Sequence, residues 1–231
     1  IIVQKKVTSS TSLGMSKTDF SKREIEKIKA FDFVNEVKPV ISNNFKVWFE
    51  TNDSLVPEFK TDVFFQTVDP TFLDVDTKDW KWNEGDKFVP FIMPRDFLVM
   101  LNTFMSASDI PQVSEEIAKQ VKFKFRISNE DGKEEFDARI IGFTNEVSAI
   151  LIPGSFMEYG NKKYAIDEEQ KVTQIIISSK ESEFGLLEEL LAKKGLESKK
   201  SQVMIARLKS VVGTLFFVVF GISVIAVFVS G

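Results

Sequence analysis

Apolar and polar residues alternate along the first 200 residues with two different periods. Residues 3–12 are rich in Val, Thr and Ser and predict a strand, whereas residues 19–31 have helical spacing and predict a helix capped by Ser16 or Thr18. Further strands are predicted at 33–40, 45–50, 61–68, 121–128, 135–143, 147–153 and 171–179. Further helices are predicted at 94–105, 155–164 and 182–194, with Gly195 ending the last one. The mixture predicts an α+β fold in which helices pack on a sheet.

The clearest single element is a hairpin near the middle of the chain. Apolar Phe123 and Phe125 alternate with Lys122 and Lys124, and a similar segment follows after a short polar stretch. The dipeptide Asp-Gly at 131–132 is typical of a tight turn between two such strands.

The last 22 residues have a different character. Residues 210–231 contain no charged side chain, although the whole sequence contains 30 Lys and Arg and 34 Asp and Glu. A helix of this length spans roughly 33 Å, close to the thickness of a bilayer core. A buried core helix is the alternative, but soluble cores seldom need a helix that is apolar on all sides. We therefore expect a C-terminal transmembrane helix, with a stalk from residue 201 and with Arg207 and Lys209 at the interface.

The N-terminus begins with IIVQKKV and has no initiator Met. This start favours a loop domain between two membrane spans over a tail-anchored protein with a trimmed start. The basic residues beside the C-terminal span would place the domain in the cytoplasm by the positive-inside rule. That rule is weak for a loop of roughly 200 residues.

Composition excludes several classes of function. The net charge of −4 argues against a nucleic-acid partner, which would need a basic face. The absence of Cys and His excludes disulfides, thiol nucleophiles, zinc sites built from Cys and His, and triads that need His. The phosphate-binding and nucleophile motifs GxGxxG, GxxxxGK[ST] and GxSxG are absent as well, so ATP hydrolysis would belong to another chain.

An acidic stretch between Asp69 and Asp86 raises the question of a calcium loop. Its carboxylates are Asp74, Asp76, Asp79, Glu84 and Asp86. Counted from Asp74, an EF-hand loop would need an oxygen ligand at position 5 and Gly at position 6, where the chain has Lys78 and Asp79. A solvated acidic loop is therefore favoured over a metal site.

Three other features have alternative interpretations. Trp48, Trp80 and Trp82 could form a ligand surface, but packing in the core or at its rim is favoured. The interleaved Lys and Phe at 122–125 fit an amphipathic strand better than a nucleic-acid surface. Many carboxylates could pair for acid/base work, and the sequence does not choose among them. We assign no catalytic, cofactor-binding or metal-binding residue and no cofactor, and we do not expect an enzyme.

Five segments, taken in order, resemble one family. SKREIEKIKAFDFVNEVKPV is followed by DPTFLDVDTKDWKWNEGDKFVPFIMPRDFL, ARIIGFTNEVSAILIP, KVTQIIISSKESEFGLLEELLAKKG and RLKSVVGTLFFVVFGISVIAVFVSG. This order resembles the extracytoplasmic domain and second membrane helix of FtsX-like ABC transporter permeases, the class that includes MacB and LolC/LolE. Each segment alone is weak, and their order carries the resemblance.

The resemblance implies a porter-like βαβ layer with an inserted mainly-β subdomain. Residues 1–90 and 171–200 would form the discontinuous porter-like layer, 91–170 the insertion, and 201–231 the stalk and transmembrane helix. It also implies a soluble domain on the periplasmic side of a bacterial inner membrane. The implied function is mechanotransmission, in which ATP hydrolysis by a separate subunit drives export or extraction of an envelope substrate.

The implied partners are a cytoplasmic ATP-binding subunit, a second permease subunit in a homodimer or heterodimer, the lipid bilayer, and a periplasmic protein or lipoprotein.

Two other functions stay open from the sequence. One is a single-pass membrane-anchored binding module with an exposed aromatic groove that includes Trp80 or Trp82. The other is an enzyme that uses two carboxylates, one with a raised pKa. The transported substrate does not follow from the sequence.

Overall fold

The computed structural model of the chain describes residues 1–12, 17–51, 53–130, 132–166 and 170–198. The strands are β1 (Ile2–Lys5), β2 (Glu36–Ser42), β3 (Lys46–Thr51), β4 (Phe59–Asp62), β5 (Phe65–Thr67), β6 (Val89–Pro94), β7 (Phe123–Ser128), β8 (Lys133–Thr144), β9 (Ile150–Leu151), β10 (Gln174–Ser178) and β11 (Leu196–Ser198). The helices are α1 (Ser9–Ser12), α2 (Lys22–Lys29), α3 (Arg95–Ala107), α4 (Glu115–Ala118), α5 (Gly154–Lys163) and α6 (Phe184–Lys193).

The predicted transmembrane helix and its stalk lie outside the described residues. Among the helices that the structure does describe, none is both long enough and apolar enough to cross a membrane.

Within the described residues the strands join one mixed sheet in the order β11-β1-β10-β2-β5-β9-β6-β8-β7-β3-β4. Most neighbours are antiparallel, including the β7–β8 hairpin, while β5–β9 and β6–β8 are parallel. Runs of consecutive strands, such as β2 to β5 and β7 to β9, are separated by helices, and the predicted α+β fold class is confirmed.

Both ends of the described chain build one layer. Strands β11, β1, β10 and β2 lie side by side, with α2 and α6 covering one face. Val3, Ile175 and Ile177 are fully buried on that face and pack with Ile28 of α2 and Leu187 of α6. We call these four strands and two helices the terminal layer.

The remaining strands form a second unit, the body, which comprises residues 43–166. Its sheet curls, so that inward-facing side chains of distant strands meet: the ring centroids of Phe65 on β5 and Phe125 on β7 are 4.6 Å apart. Phe49, Phe91 and Phe156 are fully buried in the same cluster. Aromatic side chains therefore supply much of the apolar area that this core removes from water.

Two boundaries near the N-terminus differ from the sequence prediction. The first strand ends at Lys5, and residues 9–12 form the short helix α1. Helix α2 begins after Ser21 and not after Ser16 or Thr18. Ser21 and Glu24 form a reciprocal capping box, in which the Glu24 carboxylate accepts the Ser21 backbone N–H at 2.8 Å. This S-x-x-E signal is present in the sequence and identifies the helix start.

The predicted boundary at residue 90 falls inside strand β6. The main hydrophobic cluster of the body runs from Phe45 to Tyr164, and the cluster of the terminal layer runs from Val3 to Val37 and then from Ile175 to Leu196. This packing favours a junction soon after β2. The division into two subdomains stays a prediction.

Candidate coupling site between the terminal layer and the body

The first and last described strands are direct neighbours. β1 and β11 are antiparallel, with Val3 opposite Ser198, and the Lys6 N–H donates to the Gly195 carbonyl at 2.9 Å. Gly195 ends α6 with φ +65°, which lets the chain turn back immediately into β11. The start of β1 and the end of β11 therefore lie at the same end of the terminal layer.

A chain of side-chain hydrogen bonds runs from β11 across the terminal layer to the body. Gln4 Nε2 donates to Glu197 at 2.7 Å, Gln174 Nε2 donates to Gln4 at 3.0 Å, and Gln66 Nε2 donates to Gln174 at 2.9 Å. The Gln66 amide also lies 3.5 Å from the Ser42 hydroxyl. We call these five residues the amide chain. Gln4 and Gln174 each donate one of these hydrogen bonds and accept another, whereas Gln66 donates, so the position of one side chain constrains the next.

All members of the amide chain except Ser42 line a groove of about 310 Å³ at the junction. Ile2, Val147 and Ala149 contribute apolar surface to the groove, and Phe64 stands 60% exposed at its rim. The groove is therefore partly apolar, with amides and one carboxylate along its floor.

An ion pair crosses the same junction. Lys38 Nζ of β2 lies 2.6 Å from Asp69 Oδ2, in the loop that follows β5, and 2.8 Å from Glu36 Oε1. The hydrogen bond from Lys38, followed by those from the Thr71 side chain and backbone, lowers the pKa of Asp69 to about 2. The hydrogen bonds to Asp69 and Glu36 raise the pKa of Lys38. Both groups are therefore charged at neutral pH.

The acidic residues considered for a calcium loop do not converge. Asp74 accepts the Thr144 hydroxyl and lies 3.7 Å from Arg95, whereas Asp76 and Asp86 each accept a backbone N–H in a local turn. Within the described residues no three acidic side chains are grouped to hold a metal ion. Asp76 and Asp86 thus stabilise local turns, and Asp74 binds the Thr144 hydroxyl and lies near Arg95.

The tryptophans of this loop are core residues. Trp80 is 6% exposed and Trp82 is 3% exposed, and the Trp82 ring packs edge-on against Phe156 at 4.9 Å. The prediction that Trp80 or Trp82 belongs to an exposed aromatic groove is therefore wrong. Trp48 lies elsewhere, half-buried on the outer face of β3.

Carboxyl groups with a clearly shifted pKa are all shifted downward among the residues that the structure describes. They are Glu24, Asp53, Asp69, Glu116, Glu134, Glu135 and Glu189. In Glu134, burial raises the pKa, but hydrogen bonds from Lys163 and Tyr159 lower it below its usual range. None of these groups has the raised pKa expected of a general acid.

Comparison with known families identifies the family of this chain. The family model PCD-like, described as "Probable transporter periplasmic core domain", matches residues 1–201. The chain belongs to the PCD-like family. The match covers the terminal layer and the body together, and the predicted resemblance to a transporter periplasmic domain is confirmed.

Two solved structures are similar to this PCD-like chain. One is the extracellular domain of the noncanonic ABC-type transporter YknZ from Gram-positive bacteria, with 12% identity and a TM-score of 0.35 over 85% of this chain and 95% of that one. The other is the periplasmic region of MacB from Actinobacillus actinomycetemcomitans, with 11% identity and a TM-score of 0.40 over 89% and 91%. A search of curated proteins gave no match.

The sequence interpretation missed the amide chain of this PCD-like domain. Gln4, Gln66 and Gln174 are separated by 62 and 108 residues, and no motif links them. A weak signal was available, because each is an uncharged polar residue next to one apolar residue in a predicted strand. Only the strand order places the three side chains in one row.

Proposed function

We propose that this chain is the extracytoplasmic domain of an FtsX- or MacB-type ABC transporter permease. It transmits motion from membrane helices to the periplasm when a separate cytoplasmic ATPase binds and hydrolyses ATP. The single observation that supports this most strongly is the pairing of β1 with β11 beside the family match. Two membrane segments joined to these strands would act on the same end of the terminal layer.

The amide chain offers a route for that motion. A shift of β11 relative to β1 would strain the bond between Glu197 and Gln4, and Gln174 and Gln66 would carry the displacement to the body. The backbone pairing at the junction is short, because β2 and β5 are matched only at Ile41–Thr67 and Ser42–Gln66. The side-chain hydrogen bonds act beside a buried apolar cluster that also joins the two units, in which Val40 and Ile176 of the terminal layer pack with Ile92 and Leu151 of the body.

The proposal includes the parts that the sequence predicts beyond residue 198. Residues 201–231 would form the stalk and transmembrane helix, with the domain on the periplasmic side of the inner membrane. The partners would be the ATPase, a second permease subunit and a periplasmic protein or lipoprotein. The terminal layer and the body would be the porter-like layer and the inserted subdomain. Catalysis of ATP hydrolysis would belong to the partner.

The test uses the intact permease with its ATPase in lipid nanodiscs. This chain contains no Cys, so spin labels are placed at Lys180→Cys, just after β10, and at Lys78→Cys in the body, with any cysteine elsewhere in the permease and its ATPase replaced. We expect the label distance to change when ATP and vanadate trap the ATPase. A flexible six-glycine insertion beside Arg207 should abolish that change while ATP hydrolysis continues.

The control is the same insertion in the β7–β8 turn, after Gly132, which lies away from the junction. This variant should keep the nucleotide-dependent distance change. The coupling proposal would be contradicted if the distance between the two labels did not change with nucleotide in the wild type. It would also be contradicted if the nucleotide-dependent change were still present after the insertion beside Arg207.

A further inference from the structure

The sheet ends at an exposed strand on the body. β4 (Phe59–Asp62) pairs with β3 on one side and has no strand on its other side within the described residues. Lys60, Thr61 and Asp62 are exposed. An edge strand of this kind presents unpaired backbone groups that another chain can use.

The register identifies which backbone groups point outward. The Val63 N–H donates to the Val47 carbonyl at 3.2 Å, so the Val63–Val47 pair is hydrogen-bonded. Because hydrogen-bonded and non-hydrogen-bonded pairs alternate in an antiparallel ladder, the backbone N–H and C=O groups of Lys60 and Asp62 point away from β3. These two residues therefore supply the groups with which an additional strand would pair, although the Asp62 carbonyl also accepts a local 3.3 Å hydrogen bond from the Thr61 hydroxyl.

Charges alternate along a row that reaches this edge. Asp137 on β8 is opposite Lys124 on β7, Lys124 is opposite Glu50 on β3, and Glu50 is opposite Lys60 on β4. The signs along the row are negative, positive, negative and positive. The row ends on Lys60, so an acidic residue at the next position would continue the alternation.

A second row lies two residues along the same face. It runs from Glu135 through Arg126 and Trp48 to Asp62. Arg126 holds Glu135 at 2.6 Å and Glu50 at 3.5 Å, which links the two rows. This row ends on Asp62, so the next position favours a basic residue.

The end of the first row opens into a groove of about 460 Å³. The charged residues that line the groove are Lys60, Lys122, Lys124 and Arg139 together with Glu50, Glu58 and Asp137. Among the described residues, Lys122, Lys124 and Arg139 have no carboxylate within 4 Å. The lining thus has one more cation than carboxylate, on a body whose residues 43–166 contain 14 Lys and Arg against 21 Asp and Glu. An acidic side chain beside Lys60 would therefore meet further cations in the groove.

We propose that β4 is a docking strand for an extended segment of a partner protein. The segment adds to the sheet edge, with an acidic residue opposite Lys60 and a basic residue opposite Asp62, two positions apart on its own chain. Backbone pairing with β4 provides affinity and the two charged positions provide selectivity. The proposal goes beyond mechanical coupling and does not depend on it, because β4 lies at the opposite edge of the sheet from β11.

The first experiment uses two peptide probes on the full 231-residue chain in detergent micelles. The matching probe is Thr-Val-Lys-Val-Glu-Val-Thr with blocked ends, and the mismatched probe replaces Glu by Lys. We expect the matching peptide to bind at least threefold more tightly and to protect the Lys60 and Asp62 amides from hydrogen exchange. Two lysines in the mismatched peptide place a like charge opposite Lys60 in either strand direction.

Two variants make the test sharper. Lys60→Glu should reverse the preference, so that the mismatched peptide binds more tightly. Asp62→Pro removes an outward N–H without removing a bond to β3 and should abolish binding, with the unfolding temperature confirming that the chain is folded. As the control, Lys27→Glu on α2 makes the same charge change far from β4 and should leave the preference unaltered.

Three results would overturn the proposal. Absence of binding by either peptide at millimolar concentration would mean that the edge charges only protect β4 from aggregation. If Lys60→Glu still bound the matching peptide more tightly than the mismatched one, the charge rows would have no part in peptide recognition. Concentration-dependent protection of Lys60 and Asp62 without peptide would identify a second copy of this chain as the occupant.

Discussion

Gly160 of helix α5 lies directly against the ring of Phe45. A Cβ atom on Gly160 would come within 2.3 Å of Phe45 Cε1 and 2.5 Å of Cζ, closer than atoms can approach. Phe45 is itself 3% exposed and packs against Phe65, so the ring has little room to move. The absence of a side chain at 160 lets α5 pack closely on the body.

Gly160→Ala should therefore destabilise the domain. Overpacking a buried contact costs about 1–3 kcal/mol, and the helical preference of Ala offsets less than about 1 kcal/mol of it. Urea unfolding of the full chain, followed by tryptophan fluorescence, measures the difference. Gly185→Ala on α6 is the matched control, because nothing lies within 4 Å of its added Cβ. Equal stability of the two variants would contradict the packing account.

Phe49→Leu should destabilise the domain far more than Phe104→Leu. Phe49 is fully buried, and its ring centroid lies 5.0 to 6.4 Å from those of Phe59, Phe91, Phe97, Phe123 and Phe125. Phe104 is 59% exposed on α3. We expect a loss of about 1–3 kcal/mol for the buried site and less than about 0.5 kcal/mol for the exposed one. Comparable urea midpoints for the two variants would contradict the assigned core.

The ion pair of Lys38 and Asp69 predicts a pH dependence. The pKa of Asp69 is lowered to about 2 in the folded chain, so its contribution to stability is complete above the ordinary carboxyl pKa near 3.8. That contribution is lost as the pH falls from about 4 through 2, because protonation then removes the pair. After allowance for solvent screening we expect a loss of about 1 kcal/mol.

The comparison of wild type with Asp69→Asn isolates this effect. The difference in unfolding free energy between the two proteins should be largest at pH 6 and should shrink toward pH 2.5. Asp79→Asn, at an exposed position in the same loop, serves as the control and should show no such trend. A difference that is constant with pH would show that Asp69 acts only through its turn hydrogen bonds.

Gln174→Met should weaken the link between the terminal layer and the body. Met has a similar length but cannot bond the amides of Gln4 and Gln66, so each loses a partner. We expect a loss of about 1–2 kcal/mol in unfolding free energy and a smaller nucleotide-dependent distance change in the labelled permease. Gln120→Met, which removes a single weak 3.4 Å bond near α4, is the control.

Much of the local structure could be predicted because it depends on neighbours in the chain. Alternating Phe and Lys at 122–125 give β7, the Asp-Gly at 131–132 precedes β8, and Gly195 ends α6. The buried tryptophans were also favoured as core residues, because a large apolar ring gains most from leaving water. The start of α2 was predicted incorrectly, since Ser16 and Thr18 were preferred to the capping box at Ser21.

Strand order could not be obtained in the same way. The pairing of β1 with β11 joins residues almost 200 positions apart, and the curling of the body brings Phe65 against Phe125. Such pairings depend on which faces are buried together, a property of the whole chain and not of any short window. The steric role of Gly160 also became visible only when Phe45 was placed beside it.

The sequence by itself therefore determined the α+β class, the main strands and helices, and the resemblance that the family match confirmed. Local hydrogen bonding and the burial of apolar side chains suffice for these properties. The tertiary structure decided the junction between the terminal layer and the body, the amide chain and the edge of the described sheet at β4. Each of these depends on a row of side chains contributed by separate strands, and only the packed sheet defines such a row.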